Sequence, residues 1–125
     1  MSAGKYDLYI EQGATFLRSC IYKDQDGNPV NLTGYALNAQ IRRSYSDNTI
    51  TQTINIIIAD QAILENYGKF SLSLTAIETA SIPVNPAFDF ENTLTNYTWD
   101  LEATSGTYVS RILQGSVFIS PEVTK

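Results

Sequence analysis

The sequence predicts an all-β fold, an antiparallel β-sandwich with one short helix, in a chain of 125 residues. Three observations support this. Segments in which apolar and polar residues alternate recur along the chain, and this is the period of a strand with one buried face. Turn signals separate these segments at short intervals, which favours an antiparallel sandwich over a parallel sheet with crossover helices. Helical spacing is confined to one short segment before a proline.

The clearest hairpin lies in the last third of the chain. Tyr97, Trp99 and Leu101 alternate with polar residues, so they share one face of a strand. A glycine-containing turn follows at residues 105–106, and a second strand runs over residues 108–119. We therefore place Trp99, the single tryptophan of the chain, in the core.

The same alternation predicts earlier strands at residues 6–11, 14–23, 35–43, 49–58 and 70–74. The strongest turn signal is the Asp-Gly step within residues 24–29. Thr75 and Glu78 have the spacing of a capping box, which predicts a helix of at most two turns directly after the strand Phe70–Leu74. Ile77 and Ile82 of this segment are expected to cover one end of the sandwich.

Composition excludes several classes of protein. Thirteen acidic and eight basic residues give a net charge of −5, which repels phosphate, so we expect no nucleic-acid partner. No apolar run is long enough to span a bilayer and the start lacks a signal-peptide core, so we expect no membrane partner and synthesis in the cytosol. The length predicts a single domain over residues 1–125.

Residues that could carry chemistry are few. With no histidine in the chain, the lone Cys20 has no imidazole partner and is interpreted as a structural thiol. Asp100 and Glu102 share a strand face and are interpreted as ordinary polar exposure. Residues 24–28 begin like a calcium loop but then depart from it, which favours a turn with solvated carboxylates. We predict no catalytic residue, no metal ligand, no cofactor and no enzyme.

The remaining candidate for function is the surface. Tyr9 opposes the core face of the first strand, and the last strand carries apolar residues on both faces. Either a bulge near Gly115 changes the register there, or apolar side chains point outward to a partner. The loop Pro83–Asn96 contains further apolar residues, and folding it back over the strands is the alternative to a partner. The candidate partner contacts are Tyr9, Phe88, Phe90, Leu94, Ile112 and Phe118.

Five segments of the chain carry a family resemblance, and they read YDLYIEQGATF, DGNPVNLTGY, LSLTAIETASIP, WDLE and RILQGSVFISPEVT. Together they resemble a group of small tail- and baseplate-associated proteins of tailed bacteriophages. The resemblance extends from Tyr6 to Thr124, and its most specific part is the last segment. Related chains pass more quickly from the short helix to the tyrosine-tryptophan strand, so this chain departs from them at Pro83–Asn96.

This resemblance implies an immunoglobulin-like β-sandwich similar to the N-terminal modules of phage upper-baseplate proteins. It implies a structural protein of the virion, assembled in the host cytoplasm, with other phage structural proteins as partners and a possible homo-oligomer. It transfers no catalytic residues. A host-surface module that binds carbohydrate, or a capsid decoration protein, is the alternative function.

Overall fold

The computed structural model describes residues 4–44, 46–83 and 95–120, with side chains from Tyr97 onward in the last range. These residues form strands, one helix and a single 3₁₀ turn at Leu64–Asn66. In chain order the elements are β1 Gly4–Lys5, β2 Leu8–Glu11, β3 Phe16–Ile21, β4 Ala36–Arg42, β5 Gln52–Ile58, β6 Lys69–Leu74, α1 Ala76–Ala80, β7 Thr95–Ser105 and β8 Tyr108–Ser120.

The strands form two layers joined by one strand. In the front sheet β1 and β2 pair with β8, followed by β7, β4 and the first part of β5. In the back sheet the second part of β5 pairs with β6, and β6 pairs with β3. The change of layer occurs between Ile54, which pairs with β4, and Asn55, which pairs with β6.

The strand pairing is that of an immunoglobulin-like β-sandwich. In this fold the third, sixth and seventh strands share one sheet, and the second, fourth and fifth share the other. Here β4, β7 and β8 share the front sheet, while β3, β6 and the end of β5 share the back sheet. The predicted fold class is therefore confirmed. One departure from a purely antiparallel arrangement is that β1 and β2 run parallel to β8.

The core lies between the inner faces of the two sheets. Trp99 is fully buried there, as its position in the alternating pattern predicts. The other apolar members of the core come from both layers and include Leu8, Ile10, Phe16, Leu32, Ile41, Ile54, Phe70, Leu72, Leu74, Ile82, Tyr97, Leu101, Val117 and Ile119.

The helix begins as predicted but turns a different face to the core. Thr75 and Glu78 form the capping box, and α1 follows β6 directly. Ile82 is buried, whereas Ile77 is 83% exposed, so the prediction that both cover the sandwich end is wrong for Ile77. The inward position belongs to Thr79, and residues two apart on a helix do not share a face.

Thr79 links α1 by hydrogen bonds to the turn that follows β2. Its hydroxyl donates a hydrogen bond of 2.8 Å to the carbonyl of Ala14 and accepts one of 3.0 Å from the amide of Gly13. A buried hydroxyl costs free energy unless it is hydrogen-bonded, and here it is bonded in both senses. This end of the sandwich is therefore closed by a polar contact as well as by Ile82.

A β-bulge in β8 explains the mixed faces of the last strand. Leu101 pairs with Leu113, but Glu102 pairs with Arg111, which leaves Ile112 as the extra residue. Ile112 is buried in the core, so its prediction as a partner contact is wrong. The bulge lies at Ile112 and not near Gly115, because the register is regular through Gly115.

Gly115 serves a different purpose, which is to admit the backbone of the N-terminal segment. A Cβ atom on Gly115 would lie 2.1 Å from the carbonyl oxygen of Tyr6. That carbonyl accepts a hydrogen bond of 2.7 Å from the indole Nε1 of Trp99, which pairs with Gly115 in the register. The carboxylate of Asp7 accepts a hydrogen bond of 2.9 Å from the amide of Ser116. Tyr6 and Asp7, which make these contacts, lie between β1 and β2 in the chain.

Gly115→Ala is expected to destabilise the fold by about 1–3 kcal/mol, because the added methyl group meets backbone that cannot move aside. Urea unfolding followed by Trp99 fluorescence measures the change. The matched control is Gly4→Ala, whose methyl group would meet the flexible end of Leu113 at 3.3 Å and the carbonyl oxygen of Ile112 at 3.6 Å, which is an ordinary van der Waals distance. Equal stability of the two variants would contradict the packing described for Gly115.

Glu78 is expected to make stability depend on pH. Its carboxylate accepts a hydrogen bond of 2.8 Å from the amide of Thr75 and another of 2.8 Å from Asn55, and these lower its pKa below the ordinary value of 4.5. Because the pKa of Glu78 is lower in the folded state, its ionised carboxylate stabilises the fold at pH values above its ordinary pKa. This stabilisation is lost as the pH falls through the lowered pKa.

Glu78→Gln should therefore lower stability at neutral pH and flatten its decline in acid, as measured by thermal unfolding between pH 2 and 7. Thr75→Ser keeps the capping hydroxyl and should retain the wild-type pH profile. An unchanged profile in Glu78→Gln would refute this role of the carboxylate.

Candidate interaction surfaces

An aromatic pair lies on the outer face of the front sheet. Tyr9 on β2 is the register partner of Phe118 on β8, and the two rings stack with centroids 5.1 Å apart and planes 18° apart. Tyr9 is 59% exposed, while Phe118 is half-buried. Both residues were predicted as partner contacts from their phase in the alternation. The structure adds that they form one aromatic surface, which we call the aromatic pair.

A polar depression of about 360 Å³ lies on the same face, over β4, β7 and β8. Its charges are largely satisfied within the chain. Arg111 forms an ion pair of 3.3 Å with Asp100, and Arg42 donates to the side chain of Gln40 at 2.8 Å and to the carbonyl of Asp47 at 2.9 Å. The polar side chains that line the depression are those of Gln40, Arg42, Asp100, Glu102, Arg111 and Gln114.

The outer face of the back sheet is apolar. Leu17 and Ile21 on β3 are 63% and 48% exposed, and Ile57 on β5 is 66% exposed. Ser19 lies between Leu17 and Ile21 on β3, and Ser71 of β6 lies between Ser19 and Ile57 in the register. The three large apolar side chains therefore surround small serine side chains. This surface was not predicted from the sequence. Its signal was present, since both faces of the predicted second strand carry apolar residues.

Of the remaining predicted contacts, the structure describes one. Ile112 lies in the core, and Phe88, Phe90 and Leu94 lie outside the described residues. Trp99 keeps its indole in the core, although Asp100 beside it in the sequence faces outward.

Cys20 and the turn at residues 24–28, which the sequence offered as possible sites of chemistry, both have structural roles. Cys20 points towards the core from β3, and burial raises the pKa of its thiol, which lowers the thiolate fraction at neutral pH. The carboxylate of Asp24 accepts hydrogen bonds of 3.0 Å from the amides of Asp26 and Asn28, which close the turn with Gly27 at positive φ. Within the described ranges, no three His, Cys, Asp or Glu side chains are grouped so as to hold a metal ion.

None of the helical residues that the structure describes belongs to a helix long and apolar enough to cross a membrane.

Comparisons with known proteins find similarity in fold. No protein-family model and no curated protein matches the chain. Among solved structures, murine CRIg has a TM-score of 0.41 and 10% identity, with 93% of this chain and 92% of that chain covered. The NK cell receptor NKp44 has a TM-score of 0.38 and 13% identity, with 98% and 100% covered. Tim-1 has a TM-score of 0.39 and 12% identity, with 100% and 99% covered.

Asp100→Asn is expected to change the free energy of unfolding by less than about 1 kcal/mol, because its ion pair with Arg111 is exposed to solvent. Trp99→Ala provides the contrast, since removing a buried tryptophan costs about 3–5 kcal/mol. Urea unfolding followed by far-ultraviolet circular dichroism compares the two. A large loss in Asp100→Asn would show that the polar depression is structurally important.

Proposed function

We propose that this protein is a non-catalytic assembly module of a bacteriophage virion, which contacts neighbouring structural proteins in the tail or baseplate. The resemblance of the segments between Tyr6 and Thr124 to tail- and baseplate-associated proteins supports the phage assignment. The aromatic pair is the observation that carries the interaction role. An exposed aromatic surface held on a rigid sheet is a typical centre of a protein–protein interface.

The surroundings of the aromatic pair suit an interface. Tyr9 and Phe118 are held at adjacent positions of two hydrogen-bonded strands, so little side-chain entropy remains to be lost on binding. The polar depression lies farther along the same face, and its ion pair between Asp100 and Arg111 satisfies both charges. This arrangement of an aromatic centre beside a polar rim is common in interfaces of moderate size.

The alternative function is binding of host-surface carbohydrate. The exposed ring of Tyr9 favours it, since an aromatic ring can stack on the apolar face of a sugar. Phe118 covers one side of that ring, and Trp99 is buried, so a sugar would contact the outer side of Tyr9 alone. This leaves a smaller platform for a sugar than for a protein partner. A capsid decoration role would use the same aromatic pair as an assembly role in the tail.

Tyr9→Ser and Phe118→Ser are each expected to lower incorporation of the protein into virions by about tenfold or more, because they remove the aromatic centre of the interface. A phage lacking this gene is complemented with each variant, and mass spectrometry then quantifies the protein in purified particles. Tyr108→Ser is the matched control, since Tyr108 is also exposed but lies at the turn between β7 and β8.

Several outcomes would overturn the proposal. Virions that contain no trace of the wild-type protein would exclude the assembly role. A specific signal on a glycan array that Tyr9→Ser abolishes would favour host-surface binding instead. Recovery of the protein with tail-less capsids, and not with isolated tails, would place it as a decoration protein.

A further inference from the structure

Among the strands that the structure describes, β3 is the outermost strand of the back sheet. Within the described ranges it pairs with β6 and with no other strand. The amide of Tyr22 donates to the carbonyl of Gly68 at 2.8 Å, in register with the ladder between these strands. Because hydrogen-bonded pairs alternate along an antiparallel ladder, Arg18 and Cys20 direct their amides and carbonyls towards β6.

The intervening residues of β3 direct their backbone groups the other way. Leu17, Ser19 and Ile21 turn their N–H and C=O groups to the side that carries no strand in the described chain. In the immunoglobulin-like sandwich of the constant type, the first strand lies on this side. Here β1 and β2 pair with β8 in the front sheet, so neither of them lies beside β3.

The same residues expose apolar side chains beside this edge. Leu17 and Ile21 flank Ser19 on the outer face of β3 and are 63% and 48% exposed. A flat, apolar edge is a template for strand pairing with another chain. Arg18 lies on the inner face of the same strand, and its Nε atom is buried with no hydrogen-bond partner among the described residues. An inward charge on an edge strand restricts which strands and registers can pair there.

We propose that β3 pairs antiparallel with β3 of a second copy of this chain, about a two-fold axis at Ser19. The two back sheets then become one continuous sheet in the order β5-β6-β3-β3-β6-β5. Leu17 of one copy lies opposite Ile21 of the other, and Ser19 lies opposite Ser19. Every outward amide and carbonyl of these residues gains a partner, since hydrogen-bonded pairs in this register join odd-numbered residues only.

The neighbouring registers fit less well. With the axis at Arg18, the two guanidinium groups would lie directly opposite one another, and like charges in that position are destabilising. The backbone of Ile21 would also stay unpaired. With the axis at Cys20, the backbone of Leu17 would stay unpaired instead. The axis at Ser19 places Arg18 opposite Cys20 of the second copy, so the inward charge selects this register.

The association is expected to be weak. The pairing uses one short strand from each copy, and interfaces below about 1,200 Å² are typical of transient encounters. A concentration-dependent equilibrium between monomer and dimer follows. This inference is independent of the proposed virion role, since it uses the back sheet and not the aromatic pair.

Amide hydrogen exchange tests the pairing on the wild-type protein. At low concentration we expect the amides of Leu17, Ser19 and Ile21 to exchange rapidly, while those of Arg18 and Cys20 are protected by β6. At about 1 mM, where a weak dimer is populated, the amides of Leu17, Ser19 and Ile21 should become protected as well. Sedimentation equilibrium on the same samples should show the dimer.

Paired substitutions test the register. Leu17→Lys combined with Ile21→Lys places like charges opposite one another across the axis, and should lower the association constant by about tenfold or more. Leu17→Lys combined with Ile21→Glu places opposite charges there and should restore much of the association. Ile57→Lys is the matched control, because Ile57 is exposed on the same face but lies two strands from the edge.

Three results would overturn the inference. The first is a monomer at every concentration, with rapid exchange of the odd-numbered amides. The second is a monomer whose odd-numbered amides are protected at every concentration, which would mean that the edge is covered from within the same chain. The third is a dimer that Ile57→Lys weakens as much as the double lysine variant does. Tyr9→Ser should leave the dimer intact, so the virion proposal and this one can fail separately.

Discussion

The hydrogen bond of 2.7 Å from the Trp99 indole to the Tyr6 carbonyl holds the N-terminal segment in place along β8 of the front sheet. The indole is buried, so its N–H requires a partner inside the core. Gly115 lies opposite Trp99 and offers the space that the Tyr6 backbone occupies. Asp7 then bonds to the Ser116 amide and holds the segment in place. One apolar core residue thus carries a polar contact that positions two strands.

The two layers differ as a consequence. Because β1 and β2 are held against β8, the front sheet gains a strand that presents Tyr9 beside Phe118, and the back sheet ends at β3 within the described ranges. The front face carries an aromatic pair near charges that are already paired. Among the described residues, the outward backbone groups of β3 pair with no other strand, and Leu17 and Ile21 are exposed beside this edge. The proposed contact with another protein uses the front face, and the proposed pairing with a second copy uses the edge of the back sheet.

The candidate surface was predictable only in part. Tyr9 and Phe118 alternate with buried neighbours, so their outward direction follows from local sequence. The same rule fails at Ile112, because a bulge adds one residue to β8 and reverses the phase. The exposed side chains on β3 were not assigned, since a strand with apolar residues on both faces matches a strand buried on both sides. Exposure there depends on which strand occupies the neighbouring position.

The sequence alone determined the strand segments, the Asp-Gly turn, the capping box of Thr75 and Glu78 and the inward direction of Trp99. These features depend on periods and spacings within a few residues. Tertiary structure decided that the N-terminal strands join β8, that β5 passes between layers, and that Thr79 and not Ile77 faces the core. Those outcomes depend on contacts between residues far apart in the chain, such as Tyr6 with Trp99 and Gly115, which no local pattern encodes.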